Sequence, residues 1–190
     1  MDAQPLVWSR VKWTRAAQLA ALADAEAEIA SCGDLAPENA FAVLRADTPV
    51  TAARFVAQCL SRLDALRWLA GCLARTPAPA PDTPRAAVRA GLAAWLAQPG
   101  DKRRRLVYAE AEAAGFDTIE GAAGLALFLS GGSLAPAELE HGAPPLPGGF
   151  GRAVAGAVLL CALAHGPERF IKELRAMLLE AERIASGAPA

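Results

Sequence analysis

Apolar residues recur along the chain three and four positions apart, in segments separated by Gly, Pro and Ser. That period puts each segment's apolar residues on one face of a helix, and it predicts helices from end to end. Thr14 caps a first helix running to about Ser31, with Leu19, Leu22, Ala23, Ile29 and Ala30 on one side, Asp24 and Glu28 on the other, and Gly33 beyond its end. A short helix spans about Pro37 to Arg45. "DTPVTAARFVAQCL" opens the next, with Pro49 in its first turn and a stripe of Ala52, Phe55, Val56, Cys59 and Leu63. Near Leu63 and Asp64 the stripe rotates to Leu66, Leu69, Ala70 and Leu73, which predicts a tight turn or kink.

The proline-spaced stretch "RTPAPAPDTP", residues 75–84, cannot be helical and reads as a stiff internal link. Thr83 and Pro84 then supply an N-cap and a first-turn proline for a helix burying Val88, Leu92, Trp95 and Leu96. After "QPGD", Asp101 is placed to cap "KRRRLVYAEAEAAG", closed by Gly115, and Asp117 with Glu120 has the spacing of a capping box for "TIEGAAGLALFLS". This helix and the later "GRAVAGAVLLCALA" are apolar around most of their circumference, which suits the middle of a bundle. Gly121, Gly124, Gly151 and Gly156 weaken both as helices, a cost that close helix approach would offset. A Pro/Gly-rich link, 131–150, joins the two, and a last helix from Pro167 to about Ser186 carries Phe170, Leu174, Met177, Leu178, Ala181 and Ile184 on one outer-helix stripe. The expectation is an all-α domain over residues 1–190, with an N-terminal arm, 1–13, and about eight helices in successive hairpins. A compact bundle is favoured over a short irregular α-solenoid, because two all-round apolar helices need neighbours on every side.

Composition strengthens the helical reading: 54% of the 190 residues are hydrophobic, alanine is abundant, and aromatic residues make up 6%. The mean hydropathy is positive, +0.24. Even so, the longest uncharged apolar run, "AVAGAVLLCALA", falls short of the roughly 20 residues that span a bilayer, so no membrane insertion is expected. "MDAQPLVWSRVKW" lacks the pattern of a signal peptide, and a cytoplasmic protein is the simplest expectation. A formal net charge of −1 supplies no field to hold a polyanion, so nucleic acid is not an expected partner. Cys32, Cys59, Cys72 and Cys161 have no C-x-x-C spacing and read as reduced thiols in or near the core.

Candidate chemistry is sparse. Glycines crowd "SGGSLAP" and "PGGFGRAVAG", but Ala157 and Val158 stand where a P-loop needs Lys and Ser or Thr, and Val154 stands where a dinucleotide fingerprint needs its third glycine. "SGGSLAP" reads instead as a helix stop, with Gly131 or Gly132 left-handed. The basic run "DKRRR" lies at a helix N-terminus, where the macrodipole disfavours cations. Either Arg104 and Arg105 stay hydrated, pointing away from a Leu106/Val107 stripe, or Arg103, Arg104 and Arg105 dock an acidic partner. On a 100° wheel Glu26 falls between Leu19 and Leu22, and Glu110 between Leu106 and Val107, which makes both candidates for inward carboxylates, paired or catalytic. His141 and His165 have no ligand at metal spacing, so no metal and no cofactor are expected, and His165 is placed to cap helix-end carbonyls. In the arm, "VWSRVKW" would if extended put Trp8, Arg10 and Lys12 on one side and Val7, Val11 and Trp13 on the other. It either folds back to bury Trp13 or serves as a docking arm.

"ARFVAQCLSRLDALRWLAGCLAR", "AEAAGFDTIEGAAGLALFLSGGSLAP" and "GRAVAGAVLLCALAHGPERFIKELRAMLLEAERIASG" together resemble an uncharacterised bacterial all-helical family, a domain of unknown function often found beside type VI secretion genes. The resemblance spans roughly Ala46 to Gly187, with "SGGSLAP" its most distinctive part. Members carry an aromatic-rich stretch where this chain has "TPAPAPDTP", and no catalytic residue carries over. The resemblance implies genomic company rather than mechanism, and the leading expectation is a non-enzymatic adaptor or accessory protein that binds a protein partner, a type VI secretion component or effector, through its basic run and N-terminal arm. Two other readings stand beside it: a small-molecule binder or cryptic enzyme with a pocket between the Gly-bearing helices, and an immunity-type inhibitor of a toxin.

Overall fold

The structure is a computed structural model that describes residues 7–136 and 142–188. A first-turn proline or a Ser/Thr cap opens five of the ten helices described. Pro37, Pro49 and Pro84 begin α3 (Pro37–Asp47), α4 (Pro49–Cys59) and α6 (Pro84–Ala97), preceded by α1 (Ala20–Ala23) and α2 (Glu26–Ile29) and separated by α5 (Arg62–Ala74). The rest are α7 (Asp101–Ala114), α8 (Ile119–Leu129), α9 (Gly149–Leu163) and α10 (Phe170–Ser186). Eight helices, α3 to α10, are longer than a single turn, and the described residues contain no strand.

The first expected helix is not continuous. Ala16–Leu19 is a 3-10 turn, α1 and α2 are single turns, and Asp24 between them is left-handed at φ 53°. Leu22 and Asp24 lose their intrahelical acceptor role, and side chains from elsewhere take up their carbonyls. Gln58 and Arg152 donate to Leu22 O, and Arg54 donates to Asp24 O. Tertiary hydrogen bonds thus replace the helical ones that an alanine-rich segment would otherwise make. The rotation of the stripe near Leu63 is a full break lying slightly earlier. Leu60 is extended, and Ser61 caps α5 by accepting from the Asp64 amide.

A single buried core runs from Trp8 to Ala185. α9 packs against α1, α4, α5, α8 and α10, so elements distant in sequence meet and the fold is a bundle rather than a solenoid. α9 is not enclosed on all sides, however, since Arg152, Gly156 and Leu163 face solvent. The helix glycines divide accordingly. A Cβ at Gly121 would collide with the Gly115 carbonyl, one at Gly124 with Ala111, and one at Gly151 with the Gln58 amide. Gly156 meets nothing, so close packing does not explain it.

α10 lays Leu174, Met177, Leu178 and Ala181 on the core, and Trp68 fixes it by donating to Met177 O at 2.8 Å. The link after α5 is non-helical as expected and is tied down by one residue, Arg89, which donates to Leu73 O, Thr76 Oγ1 and Pro77 O. Arg89 and Arg85 also donate to Glu120, whose side chain is fully buried, at 2.8 and 2.6 Å. This corrects the expected Asp117/Glu120 capping box: Thr118 is the cap, accepting from Gly121 N, and Glu120 turns to the α6 arginines. All four cysteines are free and buried, and burial pushes the Cys161 thiol up to about 12. Among the described residues no helix is long and apolar enough to cross a membrane.

Candidate functional site

The basic run has a structural explanation that its own helix does not reveal. Gly100 is the N-cap of α7 and Asp101 the first helical residue, so Asp101 does not cap as expected. Its carboxylate accepts from Arg104 and Arg105, and those bonds hold its carboxyl below the usual range. Arg103 donates to Ala94 O and Gln98 O at the end of α6. Arg104 donates to Phe128 O at the end of α8 and to Ser133 O, with its guanidinium 4.5 Å from the Phe128 ring centre. Arg105 donates to Ser133 O and Ala135 O. Neighbouring helices end beside the start of α7, so arginines at the positive end of their own helix sit at the negative ends of two others.

This corrects two expectations. Arg104 is only 3% exposed, so it is neither hydrated nor able to dock a partner in this conformation. The inner face of α7 is Arg104, Val107 and Ala111, while Leu106 is 60% exposed, so the wheel anchored on Leu106 and Val107 was turned outward. Glu110, placed inward by that wheel, is exposed. Glu26 is exposed as well, because the break at Asp24 interrupts the helix on which its position was reckoned. The carboxylate with no exposure at all is Glu120, which the wheel missed. Its signal was a lone acid inside the apolar "IEGAAGLALFL", with Arg85 and Arg89 one helical turn apart on α6.

"SGGSLAP" is a helix stop, with Gly132 left-handed at φ 68°. The loop is held by Arg104 and Arg105 from outside and by Ser133 Oγ, which accepts from the Ala135 and Ala143 amides. The glycines of α8 and α9 admit α7 and α4 rather than facing one another across a pocket. His141 lies outside the described residues, and so do arm residues 1–6 and link residues 137–141. His165 follows α9 with its Nε2 buried and unpartnered, so no carbonyl is capped through that atom. The described residues contain no group of three or more His, Cys, Asp or Glu able to hold a metal ion.

The described part of the arm folds back, and its alternation differs from the extended pattern. Ser9 and Arg10 form a turn, so Trp8 points inward, 4% exposed, with its ring 5.1 Å from that of Phe41, and Val7 points out. Trp8 is therefore an anchor and not a docking residue. Trp13 is half-buried and donates to Gln58 O. Arg10 N donates to Ala185 O, Ser9 Oγ donates to Ser186 O, and the side chains of Arg10 and Lys12 remain exposed.

Arg10 leans over a cleft of about 590 Å³ between the arm, α5 and α10, lined by Asp64, Arg67, Glu180, Arg183 and Ile184. Arg10 and Arg67 both donate to Asp64 Oδ1, at 3.0 and 3.4 Å. Asp64 Oδ2 accepts from Ser61 Oγ, and Arg183 grips both oxygens of Glu180. The carboxylate of Asp64 is buried, while the Arg10 and Arg67 side chains are 47% and 48% exposed. Arg103 also lines an open hollow at the start of α7, but its guanidinium is held by two carbonyls, whereas in the arm cleft the guanidinium groups of Arg10 and Arg67 meet on one carboxylate.

The model of a family described as a family of unknown function (DUF6931) matches residues 40–185, well over half of the chain. The chain belongs to that family. The DUF6931 region takes in α3 from Ala40, all of α4 to α9 and nearly all of α10, but the arm and α1 to α2 lie before it. Those earlier elements still contribute Trp8, Leu19, Ala23 and Ile29 to the core that the DUF6931 helices enclose. No curated protein and no solved structure matches the chain.

Proposed function

We propose that this protein is a non-enzymatic interaction factor, an adaptor or accessory protein of a type VI secretion system, and that it meets its protein partner with the N-terminal arm rather than with the basic run. The observation that carries this reading is the arm itself. Trp8 pins it to the bundle, Arg10 lines the cleft on α5 and α10, and the charged side chain of Lys12 is exposed on the same arm. Arg103, Arg104 and Arg105 are engaged by carbonyls and Asp101. The fates of the carboxylates support a non-enzymatic role: Glu26 and Glu110 are solvated, and Glu120 is bonded to two arginines. The secretion association rests on the resemblance of the chain to a family found beside such genes.

The test is co-purification of secretion components with the tagged chain from its native host, comparing wild type with the double variant Arg10→Glu, Lys12→Glu. Loss of a secretion component by about tenfold or more is expected when charges at an interface are reversed. Retention at the wild-type level would remove the arm from the interface. Reversing Arg104 cannot serve, since a carboxylate there would face Asp101 and two carbonyls in a buried site. Rescue of a co-expressed toxin would replace the adaptor reading with an immunity role.

A further inference from the structure

Resting on the interaction reading above, we propose that the cleft beneath Arg10 is a carboxylate socket, which takes one acidic side chain of an apolar-flanked segment on a protein partner. The geometry starts from a shared atom. Two guanidinium groups donate to one oxygen, Asp64 Oδ1, and the other oxygen is taken by Ser61 Oγ. One buried carboxylate therefore holds two like charges side by side and can neutralise only one of them. A guanidinium has five N–H donors. The guanidinium groups of Arg10 and Arg67 each give one to Asp64 and make no other hydrogen bond among the described residues, so two rigid forks keep donors facing the open cleft. Such forks match a carboxylate in bidentate fashion.

Charge decides which oxyanion fits. Arg10 and Arg67 against Asp64 leave this cluster with one net positive charge. A single carboxylate cancels it. A phosphate dianion would overshoot and meet repulsion from Asp64 and Glu180, and a nucleic-acid strand would add charge after charge to a protein whose net charge is already −1. The remaining lining is Ile184, Gly187 and Ala188, an apolar wall suited to the methylenes and neighbours of an acidic side chain rather than to a free ion. Pairing with the buried Asp64 accounts for these arginines in the fold, as Glu120 does for Arg85 and Arg89, but it leaves the outward donors of both forks unused.

The experiment follows the arginine Nε–Hε signals of the ¹⁵N-labelled full chain, assigned with Arg10→Gln and Arg67→Gln, during three titrations. The titrants are a capped peptide with one glutamate between leucines, its glutamine counterpart, and inorganic phosphate. Saturable shifts of Arg10 and Arg67 with the glutamate peptide are expected, with none from the glutamine peptide, smaller ones from phosphate at equal concentration, and about tenfold weaker peptide binding in Arg67→Gln, from loss of one charge-assisted fork. The proposal is overturned if neither peptide moves these signals, if the glutamine peptide moves them equally, if phosphate binds more tightly, or if Arg67→Gln, folded by circular dichroism, binds like wild type. Co-purification separates this from the broader reading. Peptide binding with a partner indifferent to Arg10→Gln, Arg67→Gln keeps the socket and removes the interface. A partner lost on that double change without peptide titration keeps the interface and removes the socket.

Discussion

Two groups of arginines lie at opposite extremes of this molecule. On α7, "KRRR" is the densest basic run in the chain, yet Arg103 and Arg104 serve the carbonyl ends of α6 and α8, and Arg105 holds the loop that follows α8. Around the arm cleft, Arg10, Arg67 and Arg183 come from three distant stretches with no charge run to announce them, and Arg10 and Arg67 share a single carboxylate oxygen. A concentrated charge in sequence became internal scaffolding, and a scattered one became a surface. Charge density along a chain measures neither exposure nor availability, because both depend on which acceptors the fold brings near.

Removing buried partners should break the scaffolding side of this contrast first. Glu120→Ala strands Arg85 and Arg89 beside a buried site and should cost about 3–5 kcal/mol, read by urea or thermal unfolding. Arg104→Ala orphans Phe128 O and frees the "SGGSLAP" loop; about 2–4 kcal/mol is expected, with increased amide exchange at Ser133 and Ala135. Gly121→Ala drives a methyl into the Gly115 carbonyl and should cost about 1–3 kcal/mol. At the open position the same change reverses sign: Gly156→Ala should stabilise by up to about 1 kcal/mol. On the surface side, Arg10→Gln should move stability by less than about 1 kcal/mol while weakening carboxylate capture about tenfold. A large loss of stability there would erase the distinction between the two groups.

Acid titration sharpens the same contrast. Burial pushes the Glu120 carboxyl up, but hydrogen bonds from Arg85 and Arg89 outweigh it and leave the folded value below normal. Asp101 is lowered too, by Arg105 and Arg104. A depressed folded pKa adds stability that is complete above the ordinary carboxylate range and is lost as pH falls through the folded value. Melting temperature should therefore drop between about pH 5 and about pH 2, with a shallower acid limb in Glu120→Gln. Equal acid limbs would show that Glu120 is not anchored as described.

Much of the fold was legible because its punctuation is local. Pro37, Pro49, Thr83 with Pro84, Gly115 and the proline-spaced link act through backbone torsions and caps that need no distant partner, and the helices start and stop beside them. The stripes of α4 and α10 were legible for a related reason, since a single apolar face has one way to turn. Failures came where long-range partners decided. The alanine-rich segment from Thr14 to Ser31 favours a helix by propensity, and Gln58, Arg54 and Arg152 instead stabilise its broken form. Helix wheels drawn on a presumed apolar face misplaced Glu110, because Leu106 faces out and Arg104 faces in, and misplaced Glu26, because the break at Asp24 interrupts its helix. The candidate site was only partly visible: Arg10 and Lys12 keep the exposure expected of docking residues, Trp8 and Arg104 do not, and Arg67 and Asp64 had no local signal.

The sequence by itself determined an all-helical chain, where most of its helices begin and end, and that "SGGSLAP" stops one of them, because torsional restriction, caps and 3.6-residue periodicity act within a few residues. Only the tertiary structure decided which charged groups are buried, which helix ends the arginines of α7 serve, and that Arg10 and Arg67 meet on Asp64. Those outcomes depend on acceptors dozens of positions away, and their energies exist only once the bundle has excluded water and set its helix ends side by side.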